Sequence, residues 1–292
     1  MTNVSNAANK RNTTLLVGFD SAWTAHNSGA LVGVIRSRDG NLLELGLPKI
    51  VNYPQAQDVI SDWQAEFTPA TTIIMLDQPT IVANADGQRP VENIVGSLVS
   101  LRYGGMQPAN TSKTKMFGAE APVWRFLGLF GRTSNPLEPV TGTQVFETYP
   151  VLAIIALSWS LLDLSKQARP SGRLPKYNPD RRKTFSLSDW RHVCAHTSDA
   201  FKNRRLSGIV NWIDDLSRLT KVHKEDQDGV DACICLLVAL HLAEGKECLM
   251  VGNVESGYIV VPHSTGLECE LCARCMNTGL VPADWVRMCS QC

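Results

Sequence analysis

No apolar run in the chain is long enough to cross a bilayer. The longest, residues 233–242, falls short of the roughly 20 residues that a membrane span needs. The opening residues, MTNVSNAANKRN, are polar and carry no hydrophobic leader, so residues 1–13 are expected to be a loose tail and the protein cytoplasmic. Without export, the nine cysteines are expected in a reducing compartment, where disulfides are a poor explanation for them. There is no P-loop and no net charge, although the neutral total hides an asymmetry. Residues 166–224 carry 14 Lys+Arg against 5 Asp+Glu, and residues 225–292 carry 3 against 10. What is present is globular composition, 44% hydrophobic and 19% charged, over 292 residues. That is enough for two domains, or one large domain with an appendix.

The chain is organised around LLVGFD at 15–20, an unbroken apolar run that ends in a carboxylate. Such a run without alternation predicts a strand buried on both faces. Residues 28–36 and 41–45 read as two further strands joined by Ser37-Arg38-Asp39-Gly40, and Asp-Gly is a strong hairpin signal. The three would form an antiparallel meander. A helix is expected over 54–67, a second buried strand over 71–77 and a third over 144–147. Helices are expected over 184–196, 198–220 and 227–244, then two short strands within 248–262. Strands followed by helices mixed with strands predict an α/β or α+β fold with a mixed sheet.

Asp20, Asp77 and Glu147 share one context: a buried strand, an acid, then a chain-breaking turn. In parallel neighbours their carboxyl ends would meet at one sheet edge, where open α/β sheets place ligands. Asp228 and Asp231, at i and i+3, would add to them from the first turns of the last long helix. Carboxylates gathered in this way repel unless they are protonated or hold cations, and Mg²⁺ or Mn²⁺ would suit them. Taken singly, each acid also has a structural reading. Asp20 or Asp77 could cap a helix, Glu225, Asp226 and Asp228 could favour a helix N-terminus, and Glu147 could pair with Arg89 or Arg102.

An acid on the first strand of a meander, another on the fourth strand and an Asp pair opening the last helix resemble the ribonuclease H-like superfamily. DGVDACICLLVA is similar to the Asp-x-x-Asp-Ala helix of its Holliday-junction resolvases. GFDSAW, LDQPTIVAN with GQRPVE, FETYP, KYNPDRR and that helix together resemble the DUF429 family of predicted ribonuclease H-like nucleases, from about Leu15 to about Pro262. The resemblance implies a ribonuclease H-like mixed sheet flanked by helices over 14–262. It also implies a metal-dependent nuclease whose acids fall on Asp20, Asp77, Glu147 and Asp231, with Asp228 as an option. A metal-activated water would then hydrolyse a phosphodiester, with no side-chain nucleophile. Two rivals remain: a non-catalytic nucleic-acid or protein adaptor on the same fold, and an actin-like phosphotransferase. GFDSAWT lacks the paired glycines expected of the latter.

The basic middle segment could hold nucleic-acid phosphates, with Lys176, Arg181 and Arg182 the best placed in KYNPDRR. Lys166, Arg169 and Arg173 stand in the same segment, and Tyr177, Trp190 and Trp124 could offer stacking surfaces. The alternative is a solvated loop with ordinary buried aromatics. His192 and His196 read as a surface pair. Five cysteines fall in the last 24 residues. Cys272-x2-Cys275 and Cys289-x2-Cys292, 13 residues apart, predict a structural Zn²⁺ site in a zinc-ribbon-like module over 263–292, with Cys269 as a fifth thiol. That tail could contact a protein partner or clasp the main domain. Cys194, Cys233, Cys235 and Cys248 read as small core residues.

Overall fold

The computed structural model describes residues 13–99, 106–131, 134–138, 142–157 and 175–289. The expected N-terminal tail, Arg102, Lys166, Arg169, Arg173 and Cys292 lie outside them, Thr13 excepted. The chain opens with the meander read from the sequence. It consists of β1 (Thr14–Asp20), β2 (Gly29–Arg36) and β3 (Leu42–Glu44), each antiparallel to the one before. The turn at Asp39-Gly40 closes with Gly40 at φ 80, a conformation that suits a residue without a Cβ. A short strand without a counterpart in the sequence reading, β4 (Lys49–Val51), also pairs with β2.

Helix α1 (Tyr53–Phe67) follows, started by Asn52, Pro54 and a reciprocal capping box with Gln55. It returns the chain to β5 (Thr71–Leu76), parallel to β1. Beyond it lie α2 (Pro90–Val99), α3 (Thr114–Phe117) and α4 (Pro122–Phe130), and then β6 (Gly142–Glu147), parallel to β5. The sheet order is therefore β3-β2-β1-β5-β6, with β4 on β2.

Alternation along the strands divides the core in two. Leu15, Val17, Phe19, Ile74, Leu76 and Val145 pack with α1 and α4 on one face. Leu16, Ile73, Met75 and Phe146 face the other core, which holds α8 (Lys224–Ala243). Before α8 come α5 (Pro150–Leu157), α6 (Leu187–Lys202) and α7 (Ser207–Ser217). The break between α6 and α7 falls at 203–206, where Arg205 has φ 60, later than the sequence predicts. Thr197 and Ser198 fit inside α6 because their hydroxyls bond the Val193 carbonyl at 2.8 Å and Asp214 at 2.6 Å.

Helix α8 is buried nearly all round, as its apolar sequence requires, and lies across β1 and β2. The close approach rests on Gly18. A Cβ there would stand 2.1 Å from the Ala232 carbonyl oxygen and 2.4 Å from the Leu236 nitrogen. No helix among the described residues is long and apolar enough to cross a membrane.

The C-terminal part departs from the zinc-ribbon expectation. Strands β7 (Cys248–Asn253), β8 (Gly257–Pro262) and β9 (Val286–Cys289) form one antiparallel sheet in the order β8-β7-β9. Residues between them form α9 (Thr265–Asn277) and α10 (Pro282–Trp285). Cys272 and Cys275 thus sit on a helix, not on a knuckle. Leu267, Leu271, Cys275 and Cys289 are buried in the same core as α8, so the tail has apolar packing of its own.

Candidate active site at the strand ends

Strand register decides which acids meet. Phe19 stands beside Leu76, so Asp20 and Asp77 come level one residue further on, and the Asp77 amide donates to the Phe19 carbonyl at 2.9 Å. Both belong to the alternation of Leu16, Ile73 and Met75, on the α8 side. Leu76 stands beside Glu147, however, which places Glu147 in phase with Val145 on the opposite face. Thr148 takes the position level with Asp77, its amide donating to the Leu76 carbonyl at 2.9 Å. A one-residue offset thus separates Glu147 from the other strand-end acids.

The first turns of α8 complete the group. Lys224, Asp228, Asp231 and Cys235 follow at helical spacing on one face. Lys224 pairs with Asp228. Asp231 accepts from the Tyr177 hydroxyl at 2.7 Å and from Gln227 Nε2 at 2.6 Å. Asp20, Asp228 and Asp231 are buried, and Asp77 is half-buried.

Burial, then the charges of Asp77, Asp231 and Asp228, push the Asp20 carboxyl well above the usual carboxylate range, and Lys224 pulls it back. Asp77 is raised by burial and by Asp231, against Lys224 and a hydrogen bond with Asp20. Asp231 is raised to about 6, by burial first, while Lys224, Tyr177 and Gln227 act the other way. Burial disfavours the Lys224 ammonium, yet Asp20, Asp228 and Asp231 hold it above its ordinary value.

The chemistry of this donor set fits a hard divalent cation, which prefers carboxylate oxygen. Among the described residues, however, no group of three or more His, Cys, Asp or Glu side chains is gathered closely enough to hold a metal ion. The acids feel one another's charge, and Lys224 partly compensates it.

Glu147 has a different environment. Arg89 grips it with two bonds, Nη1 to Oε2 at 2.9 Å and Nη2 to Oε1 at 2.6 Å, and the Thr80 amide donates to Oε2 at 3.0 Å. Arg89 also donates from Nε to Glu92 Oε1 at 2.8 Å and from Nη1 to the Ile81 carbonyl at 2.9 Å. Burial raises the Glu147 carboxyl and Arg89 lowers it. The pairing with Arg89 is the structural reading of Glu147. It also explains GQRPVE, which supplies both Arg89 and Glu92.

These groups line a cavity of about 730 Å³, with Asp20, Asp77, Glu147, Asp228 and Asp231 on its wall. Lys176 and Arg181 line it too, with Arg181 exposed. Arg182 is exposed and stands outside the lining. Tyr177 and Trp190 are not stacking surfaces. Both are buried, the first on Asp231 and the second donating from Nε1 to the Leu216 carbonyl at 3.0 Å. Trp124 donates to the Gly118 carbonyl at 2.8 Å. His192 and His196 stack edge to face, with centroids 4.8 Å apart.

The sequence places Lys224 only among the basic residues that could hold phosphates and leaves Gln227 unread, although each lies four residues before an acid already singled out. Among the described residues, the predicted zinc ligands Cys272, Cys275 and Cys289 form no group that could hold a metal ion. Cys275 and Cys289 are buried, Cys272 is half-buried, and the Cys289 thiol faces the Cys248 carbonyl at 3.5 Å. Cys269 is exposed.

A family model described as "Protein of unknown function (DUF429)" matches residues 18–256. No curated protein and no solved structure matches the chain.

Proposed function

We propose that this chain, which belongs to the DUF429 family, is a divalent-metal-dependent nuclease on a ribonuclease H-like fold. The observation that carries the reading is the level placement of Asp20 and Asp77 at adjacent parallel strand ends, with Asp231 and Asp228 brought over them by α8. Two features support the fold label. The sheet order is β3-β2-β1-β5-β6 with only β2 reversed, and the acids stand at the ends of its central strands. Asp20, Asp77 and Asp231, with Asp228 beside them, would hold Mg²⁺ or Mn²⁺. Such an ion lowers the pKa of a bound water and stabilises the leaving oxygen of a phosphodiester.

The chain's own residues supply the rest. Tyr177 and Gln227 fix the rotamer of Asp231 by one donor on each oxygen. Lys224 limits repulsion among the acids. Lys176 and Arg181 at the cavity offer cationic contacts to the phosphates of a nucleic acid. Glu147, held by Arg89, braces the end of β6. Zinc is not part of this reading, because Cys272, Cys275 and Cys289 belong to the packing of α9 and β9.

The test is a cleavage panel in Mg²⁺ and in Mn²⁺ on single-stranded, duplex and branched DNA and on RNA. Wild-type protein should cleave at least one substrate. Asp20→Asn should abolish that cleavage without lowering the unfolding transition. Equal rates in the two proteins would remove Asp20 from the mechanism. No cleavage, with no divalent-ion binding by calorimetry, would favour the non-catalytic adaptor.

A further inference from the structure

The strand ends carry a second polar layer on the face opposite the acids. Ser21 follows Asp20 and Gln78 follows Asp77, so alternation turns both toward the side of Phe19, Leu76 and Tyr53. There, Gln78 Oε1 accepts from Ser21 Oγ at 2.7 Å and from the Tyr53 hydroxyl. The two hydroxyls fix the amide's orientation. With the carbonyl oxygen between them, both O–H protons find an acceptor at once. With the NH2 group in its place, Ser21 would keep only its longer bond to the Asp77 carbonyl, at 3.4 Å, and Tyr53 would lose its acceptor. The Gln78 Nε2 group is left buried with no hydrogen-bond partner. The residue is 1% exposed, and it lines the cavity beside Asp77.

Buried N–H donors without an acceptor are uncommon and costly. This one is held in place by two other side chains, at the edge of the group of acids, on the wall of the cavity. An uncharged donor is what that position requires. It can hydrogen-bond an anionic oxygen without placing another cation next to the carboxylates.

We propose that Gln78 is a substrate-positioning residue whose amide N–H donates to a phosphoryl oxygen of the nucleic acid in the cavity. Ser21 and Tyr53 set its orientation. The assignment rests on the nuclease reading, and it adds a contact that neither the acids nor the basic residues provide. Arg89 is already engaged, with four of its five N–H groups donating to Glu147, Glu92 and the Ile81 carbonyl.

The experiment follows the side-chain amide resonance of Gln78 by NMR, using mixed-sequence single-stranded DNA and RNA oligonucleotides in Ca²⁺. Binding affinity is measured in parallel for wild type and for Gln78→Glu. That variant keeps an acceptor for Ser21 and Tyr53 but loses the N–H donor. A hydrogen bond to a charged oxygen is worth about 10- to 100-fold in affinity. The expected result is a downfield shift of one Gln78 amide proton on adding the oligonucleotide, and binding weakened about 10- to 100-fold by Gln78→Glu. The urea midpoint of the variant should fall at neutral pH, because it places a further carboxylate at a buried position beside Asp77, so affinities are compared under conditions where both proteins are folded. If the oligonucleotide binds while the Gln78 resonance stays put, the assignment falls whatever the variant's affinity does, because a carboxylate at position 78 would repel a phosphate in any case, and the nuclease reading stands. If neither DNA nor RNA binds the wild type, both fall together. Should Gln78→Glu fail to fold, the wild-type resonance alone decides.

Discussion

Asp231→Asn should make the protein more stable at neutral pH. Asp231 is 5% exposed, and its carboxyl is raised from the ordinary 3.8 to about 6, chiefly by burial. Below the ordinary value the folded and unfolded chains both carry the proton, and there is no effect. Between the two values the unfolded chain ionises first, so stability falls as pH rises. Above the folded value the loss is complete. A shift of about two units corresponds to roughly 3 kcal/mol. Asparagine removes this penalty and can keep both hydrogen bonds. Its amide oxygen accepts from Tyr177, and its NH2 meets Gln227, whose Oε1 is unpartnered and can be turned to accept.

The expected gain is about 2–3 kcal/mol near pH 7.5 and close to zero near pH 4. Urea unfolding in EDTA across that range would measure it. In thermal unfolding the neutral-pH gain corresponds to a midpoint roughly 5 °C higher. Millimolar Mg²⁺ or Mn²⁺ should then raise the stability of wild type and do little for the variant, since an ion that binds only the folded chain stabilises it. No gain near pH 7.5, or an equal gain at acid pH, would refute the argument, because the cost would not lie in the ionised carboxylate.

Arg89→Met should destabilise by about 3–5 kcal/mol, because Glu147 and Glu92 would remain buried without their cation. A urea titration reads this, and a loss under about 1 kcal/mol would mean that the two glutamates find other partners. Gly18→Ala should prevent α8 from seating on β1, and overpacking of this kind typically costs about 1–3 kcal/mol or more. An unchanged thermal midpoint would show that helix and strand can separate without loss.

The meander, the helix after it and the long buried helix were legible because local chemistry and tertiary context agree there. LLVGF is apolar without alternation, Asp39-Gly40 turns the chain, and Asn52-x-Pro54 starts α1. Asp231 followed from the i, i+3 spacing of acids opening α8, and Asp20 and Asp77 from the pattern of strand, acid and break. Glu147 fits that pattern equally well, and the sequence could not separate it from the others. Its exclusion depends on Leu76 pairing with Glu147 instead of Thr148, a register set by how β5 and β6 dock. The tail misled for a different reason. The Cys-x2-Cys spacing suggests a metal, but Leu267, Leu271 and Cys275 repeat at helical intervals, and that periodicity is the signal the packing follows. Tyr177 and Trp190 show the ordinary ambiguity of aromatics, which bury their rings and hydrogen-bond their polar tips.

The two ionic groups at the strand ends differ in a way that bears on function. Around Arg89 the hydrogen-bond geometry is well matched, although one guanidinium serves two carboxylates and burial still holds Glu147 above its ordinary value. Glu147 occupies both terminal nitrogens, Glu92 the Nε, and a backbone carbonyl the remaining direction. Such a network rigidifies the fold and leaves little for a ligand. A few ångströms of sheet width away, Asp20, Asp77, Asp228 and Asp231 face one lysine, and three of them have carboxyls raised above their ordinary range. Excess negative charge of this kind weakens the folded state at neutral pH. On the reading proposed above, a divalent ion bound among these acids would offset that cost, since a ligand that binds only the folded chain stabilises it.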